Sequence, residues 1–234
     1  MMKKIKGIIF DKDGTLFDIQ RSWSEWAKVF VTKFSNQHNL DTLKLAKAIN
    51  FDLASDKFVR DSIFVHGSVD EVVDVIFHKF PQITKKKIHE GLFEGSGDAK
   101  QVPLTNLHKL FNNLETITFG LVTNDSENNA IKHLEQHNLT QYFDMIIGYD
   151  SGYGSKPEPG QLEAFLRKTN LPSQEVLMIG DSTYDLVAAN KISMPCLGVL
   201  SGTANKKDLS AHTPFVIDSV DELEAWLKKT FLVR

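Results

Sequence analysis

A chain of 234 residues, 41% hydrophobic and 24% charged, can bury a substantial core without disulfide or metal staples, which excludes a disordered or fibrous chain. Its formal charge of −3, with both signs interspersed, leaves no basic stripe to track a phosphate backbone and argues against nucleic acid as a partner. The single cysteine, Cys196, reads as a small core residue, no run approaches the roughly 20 apolar residues of a membrane span, and the apolar run after Lys4 is too short for a signal-peptide core, so a cytoplasmic protein is expected.

The first predicted element is a strand over Ile5 to Phe10, which runs into Asp11-Lys12-Asp13-Gly14-Thr15. In extended backbone, side chains two apart share a side, so Asp11 and Asp13 repel unless a cation lies between them or one is protonated. An ordinary Asp-Gly turn with Asp11 as a cap is the alternative reading.

The pattern then turns helical. Ser22 and Glu25 have the spacing of a capping box, and Trp23, Trp26, Ala27, Phe30 and Phe34 follow as an aromatic stripe that reads as core rather than as a ligand platform. Asp41 is expected to cap a second helix through Ile49, Ser55 a third through Phe64, Ser68 with Glu71 a fourth ending near Pro81, and Thr84 a fifth. No strand is expected in this block, and Gly95-Ser96-Gly97-Asp98 supplies a flexible return.

From Val102 the chain alternates helices with short apolar runs, the mark of a parallel sheet covered by helices. Helices are expected over about Pro103 to Leu114, from Ser126 to Asn138, over Glu158 to Lys168 and from Thr183. Strands are expected over Thr116 to Thr123, Met145 to Ile147, Val176 to Gly180, Pro195 to Leu200 and Phe215 to Ile217, with a last helix opened by a capping box at Ser219 to Glu222. The expected organisation is an α/β core of residues 1–18 plus 99–234, interrupted by an all-helical cap of residues 19–98 that is placed to act as a lid.

Open parallel sheets bind ligands beyond the carboxyl ends of their strands. The residues there are Asp11 and Asp13, then Thr123 and Asn124, then the loop holding Lys156, then Asp181 and Asp185. Four carboxylates, a hydroxyl beside backbone amides and one ammonium suit a divalent cation with a phosphoryl group. Taken singly, Asp181 could be a plain N-cap, Lys156 a solvated loop lysine and Thr123 a strand-end residue. Lys57 and Arg60 are candidate cap contacts, because a small anionic substrate needs a cation, although a charge on a cap helix is usually a solvated face. His133 and His137, four apart on a helix, mimic a metal pair but have no third ligand nearby in sequence.

These motifs together resemble the haloacid dehalogenase superfamily: Asp11-Lys12-Asp13-Gly14-Thr15 is similar to its DxDGT motif, Thr123 to its second, Lys156-Pro157 to its third, and Asp181 with Asp185 to its GDxxxD motif. The helical block falls where the class with an early cap carries it, and Gly198-Val199, Ser201-Gly202-Thr203 and Asp218 to Leu223 resemble the tail of phosphoglycolate phosphatase relatives. The resemblance implies a Rossmann-like core and a Mg²⁺-dependent phosphatase acting on a small phosphorylated metabolite, as a monomer or homodimer. It implies Asp11 as nucleophile, Asp13 as acid and base, Thr123 and Asn124 as phosphate ligands, Lys156 as the neutralising cation, and Asp11, Asp13, Asp181 and Asp185 around Mg²⁺. Dehalogenases of the family lack the second Asp, present here as Asp13. A β-phosphoglucomutase-like mutase and a non-catalytic binding or regulatory protein are the alternatives.

Overall fold

The computed structural model describes residues 4–59, 62–202 and 204–230. In chain order the elements are β1 (Gly7–Phe10), α1 (Ile19–His38), α2 (Thr42–Ala48), β2 (Phe51–Asp52), β3 (Lys57–Phe58), α3 (Ile63–His66), α4 (Val69–Lys79) and α5 (Lys85–Phe93). After a 3-10 turn at Ser96–Asp98 come α6 (Leu107–Asn113), β4 (Thr118–Val122), α7 (Glu127–Glu135), β5 (Met145–Ile147), α8 (Gly160–Thr169) and β6 (Val176–Gly180). The chain ends with α9 (Thr183–Lys191), β7 (Cys196–Val199), α10 (Lys206–Ser210), β8 (Val216–Ile217) and α11 (Leu223–Thr230).

Among the described residues the main sheet has six strands in the order β5-β4-β1-β6-β7-β8, all parallel. Its strands are short, nearly continuous apolar runs because helices cover both faces. Ile8 and Phe10 pack on one face with Phe111 and Leu134, while Ile9 packs on the other with Val122, Phe165 and Met178. Register does the rest of the positioning. Phe10 lies opposite Leu121 on one side and Ile179 on the other, so the residues that leave β1, β4 and β6 emerge side by side at the carboxyl edge.

A separate apolar cluster takes in Ile19 to Ala99, with Trp23, Phe30, Leu45, Ile76 and Ile88 among its buried members. The Trp23–Phe34 stripe is therefore core, as its helical spacing predicts. The Ser68–Glu71 capping box is present at the start of α4, and Asp41 and Thr84 cap α2 and α5. No helix among the described residues is long and apolar enough to cross a membrane.

Two local expectations are corrected. Helix α1 starts at Ile19 with Asp18 as its cap, accepting from the Arg21 amide at 3.0 Å, and Ser22 instead accepts from the Val102 amide at 3.0 Å. The hydroxyl expected to open the helix ties the outgoing chain to the returning one. Residues 51–58 form a hairpin rather than a helix capped by Ser55. Asp52 accepts from the Ala54 amide (3.1 Å) and the Ser55 hydroxyl (2.6 Å), Asp56 adopts φ 52°, and Gln20 bonds both the amide and the carbonyl of Phe58 at 3.0 Å.

Candidate active site

The sheet edge brings Asp11, Thr123, Lys156, Asp181 and Asp185 together, all of them buried. Asp11, Asp181 and Asp185 each offer a carboxylate oxygen, and these oxygens lie within 4.8 Å of one another. Lys156 sits among them. Its Nζ donates to Asp11 Oδ1 and Asp185 Oδ1, both at 2.6 Å, and to the Val122 carbonyl at 3.0 Å, which uses all three ammonium hydrogens. Asn124 fixes the loop that delivers this lysine: its Oδ1 accepts from the Lys156 amide and its Nδ2 donates to the Lys156 carbonyl, each at 2.9 Å. The side chain of Asn124 is thus a brace for the Lys156 loop.

Asp185 is held from its other side by Ser182, whose hydroxyl (2.6 Å) and amide (3.1 Å) donate to Oδ2. Asp181 accepts from Thr15 Oγ1 at 3.4 Å through Oδ1, while its buried Oδ2 has no hydrogen-bond partner among the described residues. Two glycines wall this carboxylate. Gly14 has φ +85°, and a Cβ there would lie 2.5 Å from Asp181 Oδ2; a Cβ on Gly202 would lie 1.7 Å from the same oxygen.

The electrostatics follow from the crowding. Burial pushes Asp11 up from its ordinary 3.8 to about 7 against the pull of Lys156, with Asp185 adding repulsion. Burial, then the charges of Asp11 and Asp185, push Asp181 well above its ordinary range. Burial alone would lower Lys156, but Asp11 and Asp185 outweigh it and keep the ammonium charged. An orphaned carboxylate oxygen and two acids that resist ionising describe a group of oxygen donors short of positive charge, and this fits a hard divalent cation such as Mg²⁺.

Asp13 turns away from this triad. Its Oδ1 accepts from Trp23 Nε1 at 2.7 Å, and its Oδ2 pairs with Lys12 Nζ at 2.6 Å. Lys12 is wholly buried and also meets His133 Nδ1 at 3.0 Å and Asp125 Oδ2 at 3.2 Å. Burial and the Lys12 charge depress His133 to about 3, so its ring is neutral. Since Ser96 offers a carbonyl to Nε2 at 3.0 Å, Nε2 carries the proton and Nδ1 accepts from Lys12. His137 Nε2 bonds the Gln101 carbonyl at 2.9 Å. The two histidines therefore fasten the return segment from Ser96 to Gln101 and do not form a metal pair. Sequence reasoning missed the roles of Lys12, Asp125 and Ser182, and it read His133 only as half of a metal-pair mimic and Trp23 only as core; the signal available was a lysine set between two acids at a strand end.

A cavity of about 70 Å³ opens between this edge and the helical block, lined by Asp11, Asp13, Thr123 and Lys156 below and by Ile19, Trp23, Trp26, Val69, Leu92 and Phe93 above. Lys156 is the one lysine or arginine lining it among the described residues. Lys57 lies exposed on the β3 hairpin and is not part of the lining, and Arg60 lies outside the described residues.

Acids, a hydroxyl and a buried lysine at the carboxyl edge of a parallel sheet define a site for an anionic group beside a cation, in an α/β enzyme. The model of haloacid dehalogenase-like hydrolases matches residues 8–199, and the chain belongs to this family. It is 26% identical over 233 residues to a phosphoglycolate phosphatase of Vibrio cholerae, across 95% of this chain and 96% of the relative. It is 35% identical over 107 residues to a phosphoglycolate phosphatase of Vibrio vulnificus, across 45% of this chain and 47% of the relative. Among solved structures, a predicted phosphoglycolate phosphatase from Haemophilus somnus superimposes with a TM-score of 0.76 at 17% identity, over 97% of this chain and 99% of that one. The L-2-haloacid dehalogenase of Xanthobacter autotrophicus gives 0.62 at 15% identity, over 97% and 99%. Similarity at that level shows a shared fold.

Proposed function

We propose that this haloacid dehalogenase-like phosphatase hydrolyses a small phosphomonoester through an aspartyl-phosphate on Asp11. The observation that carries the reading is Asp11 and Asp13 facing one cavity, with Lys156 bonded to Asp11 and the Thr123 hydroxyl beside them. In this reading a carboxylate oxygen of Asp11 attacks phosphorus as the ester P–O bond breaks, and Asp13 gives its proton to the departing alkoxide. Water then attacks the phosphorus of the acyl phosphate and gives a proton to Asp13. Inorganic phosphate leaves, and Asp11 is restored. The Thr123 hydroxyl and the Asn124 amide hold phosphoryl oxygens, and Lys156 offsets the charge that Asp11 and the phosphoryl group bring together.

Asp11, the backbone carbonyl of Asp13, and Asp181 would hold Mg²⁺, with Asp185 beside them. Bound there, the ion supplies positive charge that favours ionised Asp11 and offsets the charge on the phosphoryl group. The helical block acts as a lid that keeps bulk water from the acyl phosphate and contacts the leaving group. The small, apolar upper wall favours a short leaving group, and the relatives make phosphoglycolate the first ester to try.

The test is phosphate release from small phosphomonoesters, sugar phosphates and nucleotides, with Mg²⁺ and with chelator. Metal-dependent release supports the reading. Isomer formation with little release means a phosphosugar mutase, and no turnover of any ester means a non-catalytic binding protein.

A further inference from the structure

We infer that Lys12 is a positioning residue that holds Asp13 in line with the ester oxygen, from a socket built by Asp125, His133 and Trp23. The inference rests on the reading of Asp13 as proton donor. Extended backbone sends Lys12 to the opposite face from Asp11, the face of Ile8 and Phe10, against which α7 packs through Ala130 and Leu134. A lysine is costly there unless its charge is paired and hydrogen-bonded. Lys12 Nζ donates to His133 Nδ1 (3.0 Å) and forms ion pairs with Asp13 Oδ2 (2.6 Å) and Asp125 Oδ2 (3.2 Å), the second by charge alone since that oxygen has no hydrogen-bond partner among the described residues, and the Trp23 ring lies 5.2 Å from Nζ.

Two of these partners are fixed without reference to Asp13. Asp125 Oδ1 accepts from the Ser126 amide at 2.7 Å and from Asn129 Nδ2 at 3.0 Å, while His133 is anchored to the Ser96 carbonyl at 3.0 Å. Lys12 is therefore a donor set in place by α7 and the Thr123–Ser126 loop. Asp13 is caught between it and the Trp23 indole, one donor on each oxygen. A carboxylate has about four lone-pair sites, so with two taken by Lys12 and Trp23 a site remains for the proton that Asp13 donates to the ester oxygen. Freed from Lys12, Asp13 keeps one tether and can rotate away from the cavity.

Two esters of similar size separate this role from a structural one. Ethyl phosphate must release an alkoxide and needs the proton of Asp13, whereas acetyl phosphate releases a carboxylate and does not. General acid catalysis contributes about 10²–10⁴-fold, so Lys12→Met is expected to lower kcat/KM for ethyl phosphate by about 10²-fold and for acetyl phosphate by less than about fivefold. Lys12→Met also leaves Asp125 buried beside a neutral side chain, so the double variant Lys12→Met/Asp125→Asn removes the ion pair as a unit and restores charge balance. The same selective loss in the double variant is the expected result. Equal losses on both esters in the folded variants, or recovery of ethyl phosphate turnover in the double variant, overturn the proposal. Where native protein does not turn over ethyl phosphate, the preferred alkyl ester from the phosphomonoester panel takes its place, and native protein inactive on every ester of that panel overturns the underlying phosphatase reading and this inference with it.

Discussion

Replacing Lys156 with methionine keeps the length of the side chain and removes its charge from the centre of the site. The native ammonium is 3% exposed and holds Asp11 and Asp185 at 2.6 Å each. Its loss leaves these two carboxylates and Asp181 buried together with no cation among them. Breaking a buried ion pair costs about 3–5 kcal/mol because the remaining charge is stranded. In a chain of this size each kcal/mol moves Tm by about 2–4 °C, so Lys156→Met is expected to lower Tm by about 6–20 °C at pH 8 with chelator present. The sign of the pH dependence is fixed. Without the ammonium, the buried acids bind protons more tightly in the folded state than in the unfolded one, so the deficit shrinks as pH falls and the acids are neutralised. Differential scanning calorimetry of native and variant proteins at pH 6 and pH 8 measures this directly. A variant within about 2 °C of native at pH 8 refutes the placement of Lys156 as the counter-charge of the site.

Asp11→Asn is expected to lose at least about 10³-fold in kcat while keeping its fold, as when a nucleophile is removed; steady-state kinetics on the preferred ester checks it, and a near-native rate refutes the role. Gly202→Ala places a Cβ 1.7 Å from Asp181 Oδ2 and 2.5 Å from Asp181 Cβ, so the Mg²⁺ concentration for half-maximal activity should rise about 10–100-fold and overpacking of about 1–3 kcal/mol should lower Tm, and an unchanged Mg²⁺ requirement refutes the cradle. Metal-free protein should lose stability as pH rises from about 6.5 to 8. Asp11, raised from 3.8 to about 7, binds more protons folded than unfolded across that interval, while the opposing effect of His133, lowered from 6.5 to about 3, is smaller there and fades as pH rises above 6.5. Saturating Mg²⁺ should abolish this decline, and identical pH profiles with and without Mg²⁺ refute it.

The parts of the fold legible in the sequence were those with a local cause. Continuous apolar runs marked β1, β4 and β6, and Ser68 with Glu71 marked the start of α4. The acids and the lysine were legible because a parallel sheet exposes the residues just after each strand, and register across β1, β4 and β6 then brings Asp11, Thr123 and Asp181 together. The features that were not legible depended on partners far away in the chain. Ser22 looks like a cap until Val102 arrives to use its oxygen, and the stretch from Ser55 to Phe58 looks like the start of a helix until Gln20 bonds Phe58. Lys12 and His133 lie 121 residues apart, and nothing local to either announces that one will bury its charge against the other. The carboxylate triad was legible as a set, but the orphaned Asp181 oxygen and the glycine walls around it belong to the folded chain alone.

The most direct test of the central claim is to quench the enzyme in acid during turnover of its preferred ester with Mg²⁺, digest it, and locate any acyl phosphate by mass spectrometry. A phosphorylated peptide carrying Asp11, absent from the Asp11→Asn variant, is the predicted result. Sustained phosphate release with no label on Asp11, or with label on another residue, would contradict it.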